Sequence, residues 1–194
     1  MSASITADRA RSNADARLVA LARESRGEAL ELIYSAYKSR IYSFLLRLLA
    51  DPVGADDLTQ DVFTKAFVAL GTLTNDHRVL PWLYRIANNA AIDHVRRRRR
   101  FIWLRVGKLA GTGEEPVTPD EHGRVPERDQ VRAVLATLPA EQATALLLHS
   151  LEGYSYKEIA EIQGCSLTAV RSRIARGRAA FRVTYATTEA RHTS

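Results

Sequence analysis

Three groups of side chains have types and spacing suited to chemistry, and the chemistry is recognition rather than bond-making. The first is WLYRIANNAAIDHVRRRRR, residues 82–100, where Trp82 and Tyr84 and the amide pair Asn88 and Asn89 precede five consecutive arginines. An amide can hydrogen-bond a base edge, a ring can stack on an unpaired base at about 1–3 kcal/mol, and a row of guanidiniums can follow a phosphate backbone. The second is LTAVRSRIARGRAAFR, residues 167–182, which carries Arg171, Arg173, Arg176, Arg178 and Arg182 and no acid. The third is DPVGADDLTQDVF, residues 51–63, with Asp51, Asp56, Asp57 and Asp61 and no base. Clustered carboxylates can serve acid–base or metal chemistry. No histidine or phosphate-binding loop accompanies these, so no catalytic residue, metal ligand or cofactor is expected.

Each group also has a plainer explanation. Trp82 can be a core aromatic, the arginine run a solvated helix end, and the aspartates residents of a helix N-terminus that the dipole favours. The dipole accounts for neither Gln60 among the acids nor their number. The segregation of charge also favours interaction surfaces. Residues 81–105 hold seven arginines against the single acid Asp93. The whole chain of 194 residues has net charge +6 and a pI near 9.8, which suits a polyanionic partner.

The elements that must position these groups read as helices. Leu30, Ile33, Tyr37, Ile41, Leu45, Leu48 and Leu49 recur at three- and four-residue steps, and Pro52 and Gly54 are expected to stop that helix. A second helix is expected from near Ala55 to Leu70, closed by Gly71 at C′. Residues 72–80 read as a loop, and Pro81 suits the first turn of the helix that carries residues 82–100. After an apolar FIWLRV, either a helix end or a docking segment, residues 107–125 are rich in Gly and Pro and read as a linker. The second half is helical again, from Pro126 to Thr137 and from Pro139 to near Gly153. Ser155 and Glu158 then form a capping box. Gly164 permits a left-handed turn between two short helices, Ala160 allows their close approach, and Ser166 caps the last helix. Val170, Ile174 and Phe181 form the buried stripe of that helix, which leaves its arginines outward, as a helix entering a major groove requires.

The expected class is all-α: two small helical domains, 15–106 and 126–186, between a disordered start (1–14) and tail (187–194). The single cysteine, Cys165, excludes an internal disulfide and suits a reducing cytoplasm. Neither a signal peptide nor a run of about 18 apolar residues is visible.

Together, ADDLTQDVFTKAF, WLYRIANNAAIDHVRRR and LPAEQATALLLHSLEGYSYKEIAEIQGCSLTAVRSRIARGRAAF resemble, in order and spacing over residues 15–186, the signature blocks of the extracytoplasmic-function sigma factors. The resemblance implies a region 2 domain and a region 4 helix-turn-helix domain on a flexible linker. It implies that Asp56, Asp57, Gln60 and Asp61 bind core RNA polymerase at the β′ clamp helices, with the β flap a further contact. It implies a −10 face at Asn89, beside a loop (72–80) that captures a flipped base, and Trp82, Tyr84, Asn88, Arg96, Arg97 and Arg98 are candidates for the same face by their residue types. For the −35 element it implies Arg171, Ser172 and Arg176, with Ser155, Lys157, Thr168, Arg173 and Arg178 as companion candidates. The implied partners are core RNA polymerase, promoter DNA and an anti-sigma factor. Four positions depart from the pattern: Ala175 is smaller than is usual, Gly177 lies mid-helix at a cost of about 1 kcal/mol relative to Ala, and Val79 and Pro81 alter the end of the capture loop. The residues alone leave another reading open, an activator that binds duplex DNA through its helix-turn-helix without joining polymerase.

Overall fold

A computed structural model describes residues 15–73, 78–109 and 127–192. The expected disordered start, residues 74–77 of the capture loop and residues 110–125 of the linker lie outside the described residues, while the last helix runs on to His192, through most of the tail expected to be disordered from 187. Every regular element among them is helical: α1 (15–24), α2 (Arg26–Leu49), α3 (Pro52–Ala69), a 3-10 turn (Leu70–Thr72), α4 (Val79–Leu109), α5 (Glu127–Thr137), α6 (Ala140–Ser150), α7 (Tyr156–Gln163) and α8 (Leu167–His192).

The first domain packs α2, α3 and α4 around one apolar centre. From α2 it takes Ile33, Ile41, Phe44, Leu45 and Leu48, from α3 Leu58, Val62 and Phe63, and from α4 Leu83, Tyr84 and Ala87. Burial of each large side chain stabilises the fold by about 1.5–3 kcal/mol. Edge-on ring contacts join the helices, Tyr34 to Phe63 at 4.8 Å and Phe44 to Tyr84 at 5.1 Å.

The α2–α3 corner differs from the sequence expectation. Pro52 does not stop α2; it is the first residue of α3. Ala50 ends α2 in the left-handed region (φ 52°), and Asp51 caps α3 by accepting from the Val53 and Gly54 N–H groups, each at 3.1 Å. Proline fits there because its missing N–H would be unsatisfied anyway. Gly71 is not a left-handed C′ residue, because the chain tightens into the 3-10 turn instead. Helix α4 starts at Val79, so Pro81 lies within its first turn, and FIWLRV continues the same helix to Leu109. The start of α4 is held from outside: the buried Asp15 carboxylate of α1 accepts from the Val79 N–H (3.3 Å) and the Tyr37 hydroxyl (3.4 Å). Burial outweighs these bonds and pushes the Asp15 carboxyl above its ordinary value.

The second domain packs α5 and α6 against α8, with α7 across them. Its centre holds Leu135, Leu147, Leu148, Ile159, Ile162, Val170 and Ile174. Gly177 is buried where α8 meets α6; a Cβ there would come within 3.3 Å of the Gln142 carbonyl oxygen. The mid-helix glycine that helix propensity disfavours is thus what lets the two backbones approach. The second domain also rests on the first, α5 on α2 and α7 on α4.

Candidate nucleic-acid interface

The hairpin α7–α8 is built as the sequence indicates. Ser155 caps α7 by accepting from the Glu158 N–H (3.3 Å), and the Glu158 carboxylate takes the Ser155 N–H (2.9 Å) and hydroxyl (2.8 Å). Burial pushes the Glu158 carboxyl up, but these two bonds and the charge of Arg78 outweigh it and hold it below its ordinary 4.5. Gly164 turns the chain at φ 59°, ψ 42°, and the Ser166 hydroxyl accepts from the Ala169 N–H to start α8. Both termini of the turn are therefore satisfied, and α8 is held rigidly enough to present side chains at fixed positions.

Along α8, Thr168, Arg171 and Arg176 are exposed and Ser172 is half-buried; Lys157 is exposed on α7. This set forms the outward polar and basic surface that the sequence indicates. Three expected contacts have other engagements. The Ser155 hydroxyl is occupied by the capping box. The Arg173 guanidinium turns inward, donating to Gln163 Oε1 at 2.8 Å and lying 3.1 Å from Cys165 Sγ, and Gln163 in turn donates to Thr144 at 2.7 Å. Arg173 therefore ties the turn to α6. Arg178 lines an apolar groove between α5, α6 and α8, together with Val131, Leu135, Leu146, Leu147 and Phe181. This groove was not read from the sequence. Its signal was the apolar breadth of α5 and α6, wider than one buried stripe needs.

On α4 the expected residues divide. Trp82 (5% exposed), Tyr84 (0%) and Asn88 (1%) are buried, so these three side chains are structural in this arrangement and do not face solvent. Ring bodies of this size belong to the core because α4 lies across both α2 and α3. Asn89 is exposed and accepts from the buried Asn88 amide at 3.2 Å, which holds its own amide in place; the Asn88 Oδ1 has no hydrogen-bond partner. Arg96, Arg97 and Arg98 are exposed. Arg96, Arg97 and Arg100 line an open depression with Asp93. The Arg97 Nε donates to the Asp93 carbonyl, and Arg96 pairs with Glu141 of α6 at 2.9 Å.

The acidic group occupies the outer face of α3. Asp57, Gln60 and Asp61 are exposed, and Asp56 is half-buried. Gln60 donates to Asp56 at 3.0 Å, and Asp61 pairs with Lys65 at 3.1 Å. Asp51 lies apart from them as the helix cap. The exposed Val53 and Val68 extend the same face at helical spacing, giving the acidic stripe apolar ends. Among the described residues no cluster of His, Cys, Asp and Glu could hold a metal ion. Among the described residues, too, no helix is long and apolar enough to cross a membrane.

Comparison with known proteins follows the same division. The model for Sigma-70 region 2 matches residues 33–101, and that for Sigma-70, region 4, matches residues 128–181. RNA polymerase sigma-H factor of Pseudomonas aeruginosa is 33% identical over 180 residues, covering 86% of this chain and 91% of its own. ECF RNA polymerase sigma factor SigC of Mycobacterium tuberculosis is 33% identical over 162 residues, covering 82% and 85%. Among solved structures, the sigma factor RpoE in complex with the anti-sigma factor NepR, from Bartonella quintana, superposes with a TM-score of 0.60 at 25% identity, over 79% of this chain and 94% of that one.

Proposed function

The chain belongs to the extracytoplasmic-function sigma factors, which direct RNA polymerase to initiate transcription, and from that premise we propose how its surfaces divide the work. The α3 stripe of Asp57, Gln60 and Asp61 docks on the basic β′ clamp helices of core RNA polymerase, with Asp56 orienting Gln60. The groove between α5, α6 and α8 takes an apolar segment of the polymerase β flap, and the guanidinium of Arg178 caps its edge. Helix α8 reads the −35 element as duplex through Arg171, Ser172 and Arg176, because an arginine in the major groove can bond guanine O6 and N7 together. Lys157 and Thr168 contact the adjacent backbone.

Helix α4 holds the −10 element as a melted strand. Asn89 is its exposed amide, and Arg97 and Arg98 hold phosphate. Trp82, Tyr84 and Asn88 support this face from beneath. A regulator is also expected, since the solved relative was captured with an anti-sigma factor. The protein acts in the cytoplasm, where core polymerase is found.

The observation that carries this reading is the pairing of opposite surfaces on successive domains, an exposed acidic stripe on the first and a capped helix-turn-helix with an exposed basic face on the second. In vitro transcription with core polymerase on a promoter library tests it. Addition of the protein should yield transcripts from a defined subset of templates. Binding to duplex DNA with no transcript and no association with core polymerase would instead mark an activator that works alone.

A further inference from the structure

Helix α4 begins without a cap of its own. The Arg78 carbonyl accepts from the Trp82 N–H at 3.2 Å, which makes Arg78 the residue that flanks the helix start. Ser, Thr, Asp and Asn are favoured at that position, because their side-chain oxygens accept the free N–H groups of the first turn. A guanidinium accepts nothing. The acceptor comes instead from α1. The Asp15 carboxylate takes the Val79 N–H at 3.3 Å from 64 positions away, and the Tyr37 hydroxyl of α2 donates to its other oxygen at 3.4 Å. Asp15 and Val79 are both buried, so the bond is made where water does not readily replace it. The other end of the capture loop is held from the same side of the domain. Leu73 is buried, and the Arg26 guanidinium of α2 lies against Gly71, where a Cβ would come within 2.9 Å of it.

We propose that Asp15 is a positioning residue for −10 recognition: through the Val79 N–H, and steadied by Tyr37, it fixes where α4 begins and so the register in which Asn89 meets the melted strand. This rests on the promoter-reading function above. Asn89 stands on the same helix, so a tilt or slip of the first turn is carried along it to the amide. Packing alone would favour an apolar side chain at position 15. Burial raises the Asp15 carboxyl above its ordinary 3.8, and the Val79 N–H, the Tyr37 hydroxyl and the Arg78 charge only partly offset it. The sign is informative. A carboxyl whose folded value is raised destabilises the fold while it is ionised, and that penalty fades as pH falls through the raised value. A carboxylate kept in the core under those terms serves the geometry of what it holds more than the stability of the fold. An apolar side chain of similar shape would remove the bond and the burial penalty together.

The test compares the full chain with Asp15→Leu, Asp15→Asn, Tyr37→Phe and a control, Glu31→Gln, at an exposed position of α2. Leucine keeps the branched shape of aspartate without an acceptor, whereas asparagine keeps one oxygen for the Val79 N–H. Hydrogen exchange at the start of α4 should be about three- to tenfold faster in Asp15→Leu, as for the loss of one hydrogen bond, and near wild type in Asp15→Asn. Asp15→Leu should nonetheless melt within about 4 °C of wild type. With core polymerase, opening of a pre-melted −10 bubble template should fall about three- to tenfold in Asp15→Leu, fall less in Tyr37→Phe, and return to within about twofold of wild type in Asp15→Asn. Binding to −35 duplex should be the same in all. Unchanged exchange in Asp15→Leu, faster exchange with wild-type opening of the bubble, or an Asp15→Asn protein as impaired as Asp15→Leu would overturn the proposal. So would a large fall in melting temperature with equal losses on duplex and bubble, which would make Asp15 a part of the fold only. Failure of the wild-type protein to open any template would overturn the polymerase reading instead. Exchange, and a three- to tenfold weaker grip of Asp15→Leu on an oligothymidylate of about 20 nucleotides, would then decide the role of Asp15.

Discussion

Replacing Gly177 separates helix propensity from packing, because the two effects have opposite sign. In an isolated helix Gly177→Ala would stabilise by about 1 kcal/mol. Here the new Cβ would sit 3.3 Å from the Gln142 carbonyl oxygen, an atom of the α6 backbone rather than a side chain that can swing away. Overpacking of this kind costs about 1–3 kcal/mol, so the net effect is destabilisation of about 0–2 kcal/mol. Gly177→Val adds two more methyl groups with less propensity gain and should destabilise by about 2–3 kcal/mol. At this chain length each kcal/mol moves the melting temperature by about 2–4 °C. Thermal unfolding of the full chain measures the first effect. Binding to −35 duplex measures the second, since pushing α8 off α6 tilts Arg171 and Arg176 together. A Gly177→Ala protein that melts 2–4 °C higher, with a neutral Gly177→Val, would refute the packing account.

On the α3 face, Asp57→Arg should weaken assembly with core polymerase more than Asp61→Arg, because Asp61 already shares its charge with Lys65; competition for core polymerase measures both, and equal assembly with wild type would remove the stripe from that role. Arg176→Ala should cost about 1–3 kcal/mol at one −35 base pair, whereas Arg178→Ala should leave −35 preference intact and weaken polymerase binding, as read by duplex-variant titration. Glu158 contributes stability fully above its ordinary 4.5 and loses it as pH falls through its lower folded value, so acid unfolding of Glu158→Gln should show a shallower pH dependence there than wild type.

The helix-turn-helix was legible because its signals are local. Ser155 with Glu158, Gly164 and Ser166 each act within four residues, and each does in the structure what its residue type suggests. The corner at Asp51–Pro52 is equally local, yet a proline after a long apolar helix suggests a stop, and here it is a start. Proline serves either end of a helix, and the deciding feature was the aspartate before it. The aromatic residues of α4 were harder. Trp82 and Tyr84 have the chemistry of base-stacking groups, but whether such a ring faces solvent depends on what crosses α4, and no residue near it in sequence says so. The role of Gly177 is likewise set by Gln142 of α6, about thirty-five residues away, and the inward turn of Arg173 by Gln163, which is itself held on Thr144 of α6. The contact between the domains joins Arg40 to Glu152 across 112 positions, a separation at which no periodicity carries information.

The division of labour between the two helices is tested most directly by open-complex formation on matched templates, one fully duplex and one with a pre-opened −10 bubble. Asn89→Ala should impair both templates, because the amide acts on an unpaired strand that the bubble supplies but does not hold. Arg171→Ala and Arg176→Ala should impair the duplex and lose most of their effect on the bubble, where melting no longer draws on −35 binding. Arg97→Gln with Arg98→Gln should weaken every −10 sequence alike and flatten the salt dependence by about one unit or less per lost phosphate contact. An Asn89→Ala protein that opens the bubble template as well as wild type would contradict the account, leaving α4 a structural helix whose exposed amide reads nothing.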